Sequence, residues 1–152
     1  MFKFNFIIND LNHSNLLDVD ETFLRYLFLE GNVKLQSNKA TINIDWNIPL
    51  LDFALAMRLI SLNLNTRNDS DQCFDFTESD DEIYFSKLES DLVISTTFSE
   101  EVIKTKTDEF SEAVKIFYNE ITNEILNKYP ELTKNKSYQR IINENPQSKI
   151  NI

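Results

Sequence analysis

The chain has one glycine (Gly31), one histidine (His13), one cysteine (Cys73) and three prolines in 152 residues. A single glycine cannot build a phosphate-cradling loop or a dinucleotide fingerprint, because both need several glycines to bring backbone N–H groups close to phosphate. One cysteine excludes an intrachain disulfide and a thiolate cluster for zinc, and it is compatible with a reducing compartment. A Ser-His-Asp arrangement would have to use His13, which sits beside Asn12 and Ser14 in a segment that reads as an exposed loop. A Cys73–His13 dyad has no local support, and Cys73 reads instead as a buried strand cysteine. No run approaches the roughly 18 apolar residues of a membrane span. The N-terminal apolar stretch is too short and interrupted for a signal peptide. These absences lead us to expect a cytoplasmic protein with no catalytic residue, no cofactor and no metal.

A length of 152 residues with 41% apolar content suits one domain, and such a domain buries roughly 70% of the surface its unfolded chain exposes. We place that domain at residues 1–142, followed by a polar tail at 143–152. The charge is unevenly spread. Residues 69–101 hold eleven acids (Asp69, Asp71, Asp75, Glu78, Asp80, Asp81, Glu82, Glu89, Asp91, Glu100, Glu101) against one base, Lys87, a balance of −10 that equals the net charge of the whole chain. Elsewhere 14 acids meet 14 bases. A negative balance argues against nucleic acid or an anionic membrane as partner, since both demand Lys and Arg patches.

Alternation places Phe2, Phe4 and Phe6 on one face of a first strand, and residues 10–20 read as a loop. Residues 22–29 suit either a strand or a short helix capped by Asp20 and stopped by Gly31. The strand is favoured because Gly31-Asn32 is a suitable two-residue hairpin turn, with the glycine supplying a positive φ. A turn at Ser37-Asn38 leads to a strand carrying Ile42, Ile44 and Trp46 on one face. A helix over residues 48–63 follows, with Asn47 as N-cap and Pro49 in its first turn. It has almost no polar face, so it is expected to be buried on most sides against a sheet.

After a polar connection at 63–70, the acidic block has a β rhythm. Phe74 and Phe76, then Ile83 and Phe85, then Leu92, Ile94, Thr96 and Phe98 mark three strands of an antiparallel meander with turns at 78–81 and 89–90. Residues 102–106 suit an edge strand. Thr107 can cap a second helix, whose stripe is Phe110, Val114, Phe117, Ile121 and Ile125 and which ends at Tyr129-Pro130. A short helix is expected around 138–142. The pattern is α+β, an antiparallel meander sheet with two main helices packed on one face.

Two acidic windows, Asp69-Ser70-Asp71 with Asp75 and Asp18-Val19-Asp20-Glu21, could collect a hard cation, but neither has both the glycine and the closing Glu of a calcium loop, and they read as solvated turns and caps. Spacing alone does not exclude a carboxylate pair for glycoside hydrolysis, but no cleft signal accompanies one. The acids of 69–91 are the stronger functional feature. Asp69, Asp71, Asp75, Glu78, Asp80, Asp81, Glu82, Glu89 and Asp91 repel one another if the turns point the same way, and a basic protein partner would relieve that repulsion. Clustered charge raises association rates by roughly 10- to 1000-fold at low salt. Affinity then comes from nearby anchors, for which Tyr84 on the outer face of the central strand is the candidate. Charged turns that serve only solubility are the alternative.

The order of elements resembles the small α+β immunity proteins of bacterial polymorphic and contact-dependent growth inhibition toxin systems. The features that carry the resemblance are the strand into Glu30-Gly31-Asn32, the apolar helix after Trp46-Asn47-Ile48-Pro49, the acidic meander, and the long helix from Phe110-Ser-Glu-Ala-Val to Tyr129-Pro130-Glu131-Leu132. The resemblance implies a cytoplasmic protein that binds one cognate toxin domain and blocks its active site. Such toxins are often basic nucleases. The rival readings are an interaction or assembly module, joined as a homodimer through an exposed sheet edge, and a carboxylate-based or metal-dependent enzyme.

Overall fold

The computed structural model describes residues 1–9, 13 and 15–144. Most of the 143–152 tail and part of the 10–20 loop lie outside the described residues. Two antiparallel meanders and four helices make an α+β fold: β1 (Lys3–Asn9), α1 (Glu21–Tyr26), β2 (Glu30–Gln36), β3 (Thr41–Pro49), α2 (Leu50–Leu64), β4 (Asp69–Asp75), β5 (Glu82–Leu88), β6 (Asp91–Thr96), β7 (Ile103–Lys106), α3 (Thr107–Lys128), a 3-10 turn (Pro130–Lys134) and α4 (Lys136–Asn143). The strands divide into a three-stranded sheet, β1-β2-β3, and a four-stranded sheet, β4-β5-β6-β7.

Side chains of α2 and α3 join the two sheets. Phe53 of α2 touches Phe4 of β1 at 6.3 Å between ring centroids and Phe74 of β4 at 5.1 Å. On α3, Phe110 touches Phe2 at 5.6 Å and Phe85 of β5 at 5.4 Å. Every residue of α2 is buried or half-buried, as its lack of a polar face requires. The expected stripe of α3 is fully inside. Polar ties hold the two helices in register: Ser61 Oγ bonds Ser111 Oγ at 2.9 Å, and the Arg58 guanidinium lies 4.2 Å above the Tyr118 ring.

Residues 21–26 are helix, which corrects the strand expected at 22–29. Asp20 accepts a hydrogen bond from Phe23 N at 2.9 Å, Glu21 pairs with Arg25 one turn on, and Leu24 is buried. Capping and an i,i+4 pair outweigh a pattern that suited both structures. Gly31 is accordingly no hairpin turn. It lies inside β2 opposite Ile8, and its φ is not positive. The residue is small because space is short: a Cβ there would stand 2.0 Å from the Ile7 carbonyl oxygen and 2.8 Å from Leu50 Cδ1. This is the close backbone approach for which only glycine fits.

Neither main helix has the expected cap. β3 runs on to Pro49, so Asn47 remains in the strand and its side chain accepts from Asn9 rather than from a helix amide. The first amide of α2, Leu50 N, donates instead to Leu29 O at 2.9 Å. At α3 the N-cap position belongs to Lys106, and Thr107 is already helical with its N–H on Ser90 O at 3.0 Å. Asn135 caps α4 and also reaches back to the segment before α1. Its Nδ2 donates to Leu16 O and Val19 O at 2.8 and 3.0 Å while its Oδ1 accepts from Tyr138 N.

Candidate functional site

Period-2 geometry assigns the side chains of the four-stranded sheet to two faces. Phe74, Ile83, Phe85, Leu92, Ile94 and Ile103 point toward the helices and are buried or half-buried. The opposite face is open. Its rungs read Asp75–Glu82, then Cys73–Tyr84–Ser95, then Asp71–Ser86–Val93–Lys104, then Leu88–Asp91–Lys106. Charge is therefore graded across it, with acids on β4 and lysines on β7, where Lys106 pairs with Asp91. Exposed apolar surface lies between them at Tyr84, 41% accessible, and Leu88, 65%.

The Asp75–Glu82 rung sets two carboxylates directly opposite one another. Like charges so placed are destabilising. Cys73 bridges the pair, with Sγ 3.2 Å from Glu82 Oε2 and 3.7 Å from Asp75 Oδ1. Desolvation, the hydrogen bond to Glu82 and the two negative charges push its thiol up to about 12. A hydrogen bond to Glu82 likewise raises the Tyr84 phenol above its ordinary range. Cys73 is exposed, which corrects the buried strand cysteine expected above. With Phe74 and Phe76 directed inward, alternation puts Cys73 outward on the acidic face.

The ligand atoms of Cys73, Asp75 and Glu82 lie within 4.8 Å of one another. Hydrogen bonding accounts for that proximity. A thiolate ligand would have to lose a proton that both carboxylates help to retain.

The remaining acids do not gather in one place. Glu78, Asp80 and Asp81 occupy the β4–β5 connection, at the end of the sheet that also holds Asp75 and Glu82. Glu100 and Glu101 follow β6 at that same end, where Thr97 Oγ1 donates to Asp81 Oδ1 at 2.9 Å. Asp69, Glu89 and Asp91 stand at the other end, about 20 Å away at roughly 3.3 Å per residue. The two turns point apart, and the acids are continuous only along β4 and around the Asp75–Glu82 end. The first acidic window is a strand and not a solvated turn, whereas Asp20 in the second caps α1 as expected.

The tight β5–β6 turn has an unexpected occupant. Glu89 takes the left-handed conformation there, with φ of 56°. Lys87, the one base of the block, faces the helices, and its Nζ donates to Leu64 O and Arg67 O at 2.6 Å each. It closes the C-terminal end of α2 and leaves the acids of the open face without its charge.

His13 is half-buried, which corrects the exposed loop histidine expected above. Its Nε2 lies 2.7 Å from Phe28 O, with the rings of Phe23, Phe28 and Tyr129 around it at 5.4 to 6.1 Å. The imidazole therefore holds the α1 segment against Tyr129, while the Cys73 thiol is engaged with Glu82, and the two form no dyad. Among the described residues no helix is long and apolar enough to cross a membrane. The chain matches no protein-family model, no curated protein and no solved structure.

Proposed function

We propose that this chain is a non-enzymatic inhibitor of the immunity type, acting in the cytoplasm, which binds a cognate basic toxin domain of nuclease type and blocks its active site. The observation that carries this reading is the Asp75–Glu82 rung on an open sheet face beside exposed Tyr84. A surface selected for solubility alone would mix bases among its acids, yet this one sets Asp75 opposite Glu82, turns Lys87 inward and keeps its lysines, Lys104 and Lys106, on β7 at the far edge. A cationic partner removes that repulsion on binding. The acids steer the encounter, and Tyr84 with Leu88 supplies the desolvated contact. A nuclease site that accepts phosphates presents the complementary charge.

The test is co-purification of the chain with the product of the adjacent upstream gene at low salt, followed by an assay of that product's toxicity. A stable, non-toxic pair that dissociates as salt rises supports the reading. No complex, or a complex equally strong after Asp75, Asp80, Asp81 and Glu82 are changed to Asn or Gln, overturns it.

A further inference from the structure

Resting on that reading, we infer that β4 receives an extended segment of the basic partner as an added strand, with basic side chains four residues apart set against Asp71 and Asp75. The four-stranded sheet has two terminal strands, and they differ. β7 is four residues long and carries Lys104 and Lys106, the short, lysine-bearing form that discourages further pairing. β4 is seven residues long, pairs among the described residues with β5 alone, and contains neither lysine nor proline. Its backbone edge offers a row of donors and acceptors to a further strand, in which Asp71 O accepts from Gln72 Nε2 at 3.0 Å, a bond that the added strand would replace.

Side-chain parity fixes the chemistry of that strand. Alternate residues would stand beside Asp71, Cys73 and Asp75 on the open face, at about 4.5–5.5 Å between Cβ atoms. The intervening ones would stand beside Gln72 and Phe74. Lysine or arginine suits the first and third of the outer positions, a small residue suits the place next to Cys73, and apolar residues suit the inner positions next to half-buried Phe74. A second copy of this chain is a poor occupant, because it would bring its own Asp71 and Asp75 to the same edge.

The experiment uses the full chain, isotopically labelled for NMR, at low salt. The probe is a terminally blocked peptide, Thr-Lys-Val-Thr-Val-Lys-Thr, alongside two versions N-methylated on alternate backbone amides, one in each phase. All three carry the same charge, but only one methylated phase removes the hydrogens that would pair with β4. The expected result is shifts confined to β4 and its neighbours, with one methylated peptide binding about tenfold or more weakly and the other close to the parent. Equal binding by all three overturns strand addition and leaves the charge-led reading of the partner standing. No binding by any of them overturns strand addition, while the reading of the partner is decided separately by the co-purification above. Concentration-dependent shifts at β4 without peptide assign the edge to a second copy and also overturn the inference.

Discussion

Lys87 Nζ donates to the main-chain oxygen of Leu64 at 2.6 Å. A second bond of the same length reaches Arg67 O, so an ammonium group from β5 closes the last turn of α2 and the connection that leads into β4. Helix C-termini leave carbonyls without intrahelical partners and carry partial negative charge, which a cation stabilises. Changing Lys87→Met keeps the aliphatic stem and removes the donor. We expect a loss of about 1–2 kcal/mol in urea unfolding, with affinity for a basic partner unchanged.

Gly31→Ala should cost more. The added methyl would meet the Ile7 carbonyl oxygen at 2.0 Å, and that oxygen belongs to strand backbone that cannot rotate away. The β1–β2 ladder must open at Ile8, with a loss of about 3 kcal/mol or more in urea unfolding. A loss below about 1 kcal/mol would mean that β1 can shift and that Gly31 is not held by close approach.

Tyr138 is fully buried, and its hydroxyl has no hydrogen-bond partner among the described residues. Tyr138→Phe should be neutral or stabilising by up to about 1 kcal/mol. Burial, with a smaller contribution from Tyr118, pushes the phenol from 10.0 up to about 12. Between these values the unfolded chain has lost a proton that the folded chain keeps, so this group's contribution to stability falls as pH rises from about 10 to about 12. The variant lacks that contribution. Urea midpoints measured across the interval should therefore fall less steeply in Tyr138→Phe than in the native protein.

Cys73 is exposed, yet its thiol should react slowly. Desolvation and the carboxylates of Glu82 and Asp75 hold it protonated to about 12. Aromatic-disulfide titration at pH 8 should run about tenfold or more slower than with a free cysteine peptide. Glu82→Gln should accelerate it. Reaction at the peptide's rate would show that Sγ does not lie between the two carboxylates.

Legibility in the sequence followed local periodicity. The α3 stripe and the alternation in β1, β3 and β5 could be read because each segment buries one face, and burial imposes a period. Residues 22–29 are ambiguous because Phe23, Leu24, Leu27 and Phe28 suit a short helix, while a nearly continuous apolar run of this length also suits a buried strand. The Asp20 cap, the better signal, was outweighed by a glycine that looked like a turn. Gly31 and Glu89 exchange the roles that composition assigns them: the glycine sits in a strand because of a contact with Ile7, and the left-handed turn residue is a glutamate. Contacts between elements distant in sequence leave no local trace. The division of the strands into two sheets and the inward turn of Lys87 are of this kind. The acids themselves were plain in the sequence, but their separation into two ends depends on hairpin direction. Cys73 could have been placed on the open face from the inward direction of Phe74 alone.

The Asp75–Glu82 end of the open face is the proposed contact for a cationic partner. Its most direct test is the dissociation constant of the purified product of the adjacent upstream gene for the native chain and for Asp75→Asn/Glu82→Gln, measured at low salt. The variant should bind about tenfold or more weakly and show a shallower dependence on salt. An unchanged dissociation constant with an unchanged salt dependence would contradict it.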